Sequence, residues 1–299
     1  MPETEPNDLD PIPLTSEIIG GREKFLLYGA PKRGKTFTAL TAPGPIYFLA
    51  IGGPNEAKTY FSKQFQEKHG KKDIIIQSAL ENVDKHGRCK TPAGFDHACN
   101  LLDRALELDD KGALPTETGG FETIVIDNAT VLQEFQMNKT IYISNLTRSN
   151  SATGASTIDK VKQHGVLKPS DSDWGGAQSL MQNWYSWLFK LDKNIVFIAH
   201  EYEVTKADRA TQTINLIGVQ PLFVGKQRIR IANAFDNVWH FTYDHANYQA
   251  RTVPQEVPTD IIAGTRVGGV IDKEWINPDL SVAIDKFKKH AESIERGEK

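Results

Sequence analysis

Cysteine is scarce in this chain: Cys89 and Cys99 are the only two among 299 residues. They form no CxxC pair and have no histidines at zinc-site intervals, which argues against a structural metal and for a reducing compartment. Long apolar runs are missing too. No stretch approaches the roughly 18 residues of a membrane-crossing helix. The opening MPETEPNDLDPIP is acidic and proline-rich rather than basic and then apolar, so residues 1–15 read as a short disordered leader. Excess charge of one sign is also lacking: 35 Lys and Arg stand against 38 Asp and Glu, a formal net charge of -3. Global charge therefore gives no pull toward nucleic acid, and any such binding must come from local basic patches. These absences describe a globular protein of the cytoplasm with no membrane partner.

What the chain does have is KFLLYGAPKRGKTFTAL at residues 24–40. An apolar strand runs into Gly29-x-x-x-x-Gly34-Lys35-Thr36 and then into helical sequence, the context a P-loop requires. The residue types supply the chemistry. Gly29 and Gly34 permit tight turns, and the amides of Ala30, Pro31, Lys32, Arg33, Gly34, Lys35, Thr36 and Phe37 fall to the phosphate cradle, Pro31 contributing shape rather than a donor. Lys35 is placed to reach the β- and γ-phosphates, and the Thr36 hydroxyl to ligate Mg²⁺. The expected ligands are ATP and Mg²⁺.

The rest alternates strand with helix, which predicts an α/β fold with a mostly parallel sheet flanked by helices. GPIYFLAIGG, DIIIQSA, FETIVIDNA and NIVFIAHE read as short buried strands, with amphipathic helical segments between them. NVWHFTYDHANYQARTVPQ alternates like an antiparallel C-terminal hairpin, and LSVAIDKFKKHAESIERGEK reads as a charged terminal helix. No repeat or linker divides residues 16–299, so one domain is expected, with long polar loops at about 144–172 and 202–232.

A P-loop does not separate kinases, GTPases, transporters and motor ATPases, so a second acidic motif has to decide. Ile124-Val125-Ile126-Asp127 delivers a carboxylate to the end of a buried strand, where it can hold Mg²⁺. The plain alternative is a helix-capping Asp, a role Asn128 and Thr130 could fill as well. NIVFIAHE delivers His200 and Glu201 to the same edge, where ligands bind in open α/β sheets. There His200 could sense the γ-phosphate and Glu201 could orient water. Hydrolysis also needs a carboxylate to polarise that water. Position 128 is Asn, and the second strand ends in Leu49-Ala50-Ile51-Gly52-Gly53, so Glu56 and Glu201 are the candidates. Lys226, Arg228 and Arg230 form a basic cluster suited to an arginine-finger role in a neighbouring subunit, to DNA contact, or simply to a solvated strand face. Arg148, Lys160, Lys162, Lys168, Lys206 and Arg209 make the two long loops locally basic. Trp174, Tyr185, Trp187 and Tyr202 are read chiefly as core, with base stacking as the alternative.

GAPKRGKT, FETIVIDNA, SDWGGAQ and NIVFIAHE, in this order, resemble phage-encoded ATP-binding proteins with a RecA-like core, the single-strand annealing ATPases of bacteriophages. The resemblance spans roughly residues 20–245. It implies ATP and Mg²⁺ binding, assembly into homo-oligomeric rings or filaments, single-stranded DNA contact through the loops after the third and fourth core strands, and a role in recombination or replication. A single-strand-binding protein is a further partner it suggests, and the bacterial host cytoplasm the expected location. Gly29 to Thr36, Asp127 and His200 match the motifs residue by residue, whereas Ala50, Ile51 and Gly52 occupy the region where the family has an acidic residue. Two other readings remain open: a non-hydrolysing, nucleotide-gated binding protein, and a small-molecule or nucleotide kinase, although no arginine-rich lid helix is present.

Overall fold

The computed structural model describes residues 22–149, 169–208, 213–223, 227–244, 247–256 and 259–297. The expected leader at 1–15 lies outside them. So do Lys226 and the loop residues Lys160, Lys162, Lys168 and Arg209.

Strand β1 (Lys24–Gly29) is buried along its whole length and leads into the short helix α1 (Lys35–Ala39). The helix ends early because Pro43 and Pro45 follow within six residues, and proline cannot continue a helical ladder. β2 (Ile46–Ile51) is equally buried, and a 3₁₀ segment (Pro54–Phe61) and α2 (Lys63–His69) carry the chain to β3 (Ile74–Ala79). α3 (Gly94–Asp110) precedes β4 (Thr123–Asp127), and α4 (Ala129–Ser149) and α5 (Asp171–Leu188) precede β5 (Asn194–Ala199). β6 (Glu201–Asp208), β7 (Thr213–Pro221) and α6 (Gln227–Ala232) follow, then the hairpin β8 (Asn237–Asp244) and β9 (Asn247–Arg251). The short strands β10 (Asp260–Ile261), β11 (Gly264–Thr265) and β12 (Glu274–Ile276) and the helix α7 (Leu280–Glu295) close the described chain.

Among the described residues the main sheet has nine strands, in the order β12-β9-β8-β1-β5-β4-β2-β3 with β11 beside β8. From β3 to β8 the pairings are parallel; β9, β11 and β12 are antiparallel. The expected mostly parallel sheet, flanking helices and C-terminal antiparallel hairpin are all present. Side-chain alternation sorts the core into two layers. Leu26, Tyr28, Tyr47, Leu49, Ile124, Ile126 and Phe197 pack beneath α3, α4 and α5. Phe25, Leu27, Phe48, Val125, Val196 and Trp239 pack on the other face against Phe37 of α1, Phe65 of α2 and Phe287 of α7. Leu280 donates its backbone N–H to Thr41 Oγ1 at 2.7 Å, so the terminal helix braces the turn that follows the P-loop helix.

Two expectations need correction. The segment 202–232 is not one long loop. β6 and β7 form an antiparallel hairpin, joined at the base by β10, and α6 follows. The strands were illegible because periodicity reveals a strand only when one face is buried. Here Ile214 is 74% exposed, Leu216 and Ile217 are also exposed, and neither face carries a clear apolar stripe. At the other segment, α4 runs on to Ser149, past the expected loop start at 144, and α5 begins at Asp171. Among the described residues no helix is long and apolar enough to cross a membrane.

Candidate nucleotide site

The parallel strands end on one edge of the sheet, and β1 delivers the P-loop there. Gly29 lies against β8, where an added Cβ would sit 2.5 Å from the Phe241 carbonyl oxygen. Gly34 caps α1 with φ of 86°, a left-handed conformation that favours glycine. A Cβ on it would also fall 2.3 Å from Cγ of Tyr248. Gly34→Ala is therefore expected to lower stability by about 1–3 kcal/mol and to weaken nucleotide binding; thermal denaturation and an ATP titration check it, and an unchanged melting temperature would show that the ring yields freely.

Lys35 is 7% exposed, and its ammonium donates to the carbonyl oxygens of Gly29 at 2.8 Å and Ala30 at 2.7 Å. Burial pulls its pKa down to about 8, against the opposing fields of Asp127, Glu201 and Glu56. A cation so poorly solvated gains strongly from a phosphate oxygen. Thr36 Oγ1 donates to Asp127 Oδ2 at 2.7 Å, although β5 stands between β1 and β4 in the sheet. Asp127 is buried, and burial pushes its carboxyl up to about 7, with the Thr36 hydrogen bond pulling the other way. A hydroxyl and a carboxylate converging at the cavity wall are hard oxygen donors, so Thr36 and Asp127 fit Mg²⁺. When bound, the ion would neutralise triphosphate charge there.

Asn128 takes a different role from the one a second acidic residue would have. Its Oδ1 accepts the Thr130 backbone N–H at 2.8 Å, which turns its amide nitrogen toward His200 Nε2 at 2.6 Å. His200 Nε2 is then an acceptor and the ring proton sits on Nδ1, which is shielded from solvent and has no partner among the described residues. Burial, and then the Lys35 charge, hold the imidazole below its ordinary pKa, so it stays neutral. Thr130 Oγ1 accepts the His200 backbone N–H at 3.1 Å and donates to the Leu222 carbonyl at 3.0 Å. The Leu222 N–H returns to the His200 carbonyl at 2.7 Å. Both roots of the β6–β7 hairpin are thereby fastened to the residues that follow Asp127.

The two candidate bases part company. Glu201 Oε2 pairs with His240 Nε2 at 2.9 Å. Burial pushes its carboxyl up, but the His240 bond, the Lys35 charge and the Ala30 backbone N–H outweigh it and hold the pKa low. Glu201 is fastened to the P-loop from the β8 side and does not line the cavity. Glu56 does. Gly52 and Gly53, with φ of 94° and 139°, turn the chain after β2, and the 3₁₀ segment brings Glu56 back beside Lys35 and Asp127. Burial raises the Glu56 pKa, with Lys35 opposing. His200, Phe37 and most of the P-loop line the same cavity, about 510 Å³ in volume.

Gln227–Ala232 is helical and not a strand face, and Arg230 on it is exposed and does not line the cavity. Tyr185 is core, as expected, while Trp187 and Tyr202 are 39% and 38% exposed. Sequence reasoning passed over Asn55, Thr59, His240 and Tyr248. Of these Tyr248 carried a usable signal: Tyr243 and Tyr248 flank the turn of the one hairpin that the pattern made legible.

A glycine-bounded phosphate cradle, a buried lysine and a Thr–Asp corner at the carboxyl edge of a parallel sheet define a P-loop nucleotide-binding protein. Residues 22–267 match the AAA domain family, and the chain belongs to that family. It is thus a nucleotide-binding protein of the P-loop ATPase class. It is also similar to the solved structure of a prototypical ATPase from the type III secretion system of pathogenic bacteria, with 12% identity and a TM-score of 0.36 over 95% of this chain and 69% of that one. No curated protein matches the chain.

Proposed function

We propose that the chain is an ATP·Mg²⁺-binding ATPase that uses the nucleotide to control its own assembly and its grip on single-stranded DNA, as in the phage annealing ATPases it resembles, in the cytoplasm of a bacterial host. Residues 16–299 act in it as one unit. Lys35 and the loop amides hold the phosphates, Thr36 and Asp127 the metal, and His200 reads the terminal phosphate. Glu56 polarises the attacking water, and Glu201 positions the P-loop through Ala30. Arg230, with Lys226 and Arg228, is left for a neighbouring subunit or for DNA.

The observation that carries this reading is the hydrogen-bonded path from Asn128 through His200 and Thr130 to Leu222, which ties the nucleotide edge to both roots of the β6–β7 hairpin. A group that changes His200 changes the support of the hairpin. The DNA part is supported by the surface of β6, where Tyr202 offers a partly exposed stacking face and Lys206 an exposed charge. Anisotropy of a labelled oligonucleotide tests it. Affinity should rise about tenfold between ADP and ATP, a typical coupling of about 1–3 kcal/mol, and His200→Ala should erase the difference while still binding ATP. Equal affinity in both nucleotides for the unaltered protein would defeat the proposal.

A further inference from the structure

The run SDWGGAQ forms the first turns of α5, and the nucleotide site makes no use of it: no residue of that helix lines the cavity. α5 buries one side through Ala177, Met181, Tyr185 and Leu188. Its other side faces solvent but has an unusual composition for that position. From Trp174 to Phe189 there is no charged residue, whereas the exposed side of α7 carries Asp285, Lys288 and Lys289, as a solvated helix face ordinarily does. Gly176, Leu180, Asn183 and Trp187 follow one another at helical spacing along the exposed side of α5. Leu180 is 49% exposed and Trp187 39%. An exposed tryptophan on a surface depleted of charge has the composition of the centre of a protein interface.

The bulk on this face is graded. Gly175 and Gly176 leave its amino end bare, Ser179 turns its hydroxyl back to the Gly175 carbonyl at 3.1 Å, and Trp187 supplies the bulk at the other end. The fold gives neither glycine a reason. Neither has a positive φ, and among the described residues an added Cβ would meet nothing within 4 Å at Gly175 and only Thr140 Cγ2, at an ordinary 3.6 Å, at Gly176. Alanine would favour the helix at both positions. The bare end is explained by a group that comes close from outside.

We propose that this face of α5 is an isologous interface with a second copy of the chain, in which the two α5 helices lie antiparallel about a two-fold axis and Trp187 of each packs over Gly176 of the other. A two-fold contact needs a self-complementary surface, and this one is so in shape and in charge. Gly176 and Trp187 lie equally far on opposite sides of the point between Met181 and Gln182. Reversing one helix therefore sets large against small at both ends, with Leu180 against Asn183 between them. The uncharged face also lets two chains, each of net charge -3, meet without like charges in contact. The dimer does not depend on the nucleotide reading; it is the unit on which a nucleotide-driven assembly would act.

Sedimentation velocity of the full-length protein across a concentration series, with and without ATP·Mg²⁺, tests this. The unaltered chain should dimerise without nucleotide, and Lys35→Ala should do so equally, so failure of the phosphate site would leave the interface standing. Trp187→Ala and Leu180→Glu, both at exposed positions, should raise the dimer dissociation constant about thirtyfold or more. Gly176→Trp should do the same by setting tryptophan against tryptophan. Adding Trp187→Ala to Gly176→Trp restores large against small and should recover the dimer, a rescue that a merely structural role for Trp187 would not produce. A monomer at every concentration, a dimer that appears only with ATP, or a dimer indifferent to Trp187→Ala and Leu180→Glu would each overturn the proposal. So would a double variant no better than Gly176→Trp alone, because the antiparallel register would then be wrong.

Discussion

Lys35→Ala is expected to cripple ATP binding, raising the dissociation constant by at least about thirtyfold. Lys35 is almost wholly buried, and among the described residues its ammonium donates hydrogen bonds to the carbonyls of Gly29 and Ala30. Burial has already drawn its pKa down to about 8, so the cation is under-solvated and the triphosphate offers the charge it lacks. Removing one partner of such a desolvated charge pair costs about 2–5 kcal/mol, or roughly 30- to 5000-fold in affinity. Alanine also leaves two loop carbonyls without their donor, which loosens the cradle as well as discharging it. Lys35→Met separates these effects, since it keeps the volume of the stem and loses only the head. Both variants should fail in a calorimetric titration, and ATP binding retained in Lys35→Met would move the phosphate site elsewhere.

Glu56→Gln should keep ATP and slow its turnover by about 10²- to 10⁴-fold, the usual contribution of a positioned general base. Among the candidate bases Glu56 is the carboxylate that faces the cavity, whereas Glu201 is spent on His240 and on the Ala30 amide. Burial raises the Glu56 pKa. A raised carboxyl pKa means that the basic form is lost earlier as pH falls, so turnover should decline on the acid side in the unaltered protein and much less in Glu56→Gln. Glu201→Gln should behave in the opposite way. It breaks the His240 pair and should lower thermal stability and nucleotide affinity together, with a smaller effect on the rate of the bound complex. Phosphate-release assays under single-turnover conditions distinguish the two variants. Equal single-turnover rates for Glu56→Gln and the unaltered protein would leave a chain that binds nucleotide and gates with it but has no base of its own.

The sequence made the P-loop and the Asp127 strand legible for a simple reason. β1, β2, β4 and β5 are buried on both faces and therefore read as short, continuous apolar runs, and the polar residues that end them stand out. The same logic placed Thr36 near Asp127 across 91 positions of chain. It named Glu56 but could not rank it above Glu201, because the strand end itself, where a carboxylate would stand out, holds none. Two glycines and a 3₁₀ segment bring the side chain back into the cavity from several residues further on, and turn geometry of that kind leaves no periodic trace. It failed at the β6–β7 hairpin because exposed strands carry no buried stripe. His240 was missed for a third reason. Its role exists only through contact with Glu201, 39 positions away, and local pattern cannot reach that far.

Steady-state phosphate release and sedimentation velocity, recorded on one sample with ATP·Mg²⁺ and with or without single-stranded DNA, address nucleotide, chemistry and assembly together. The expected result is slow release that rises when DNA is added, together with faster-sedimenting species in ATP than in ADP, and the loss of both in Lys35→Ala. Phosphate release at background and one unchanged sedimentation coefficient, in every combination of nucleotide and DNA, would contradict a nucleotide-driven assembly on DNA.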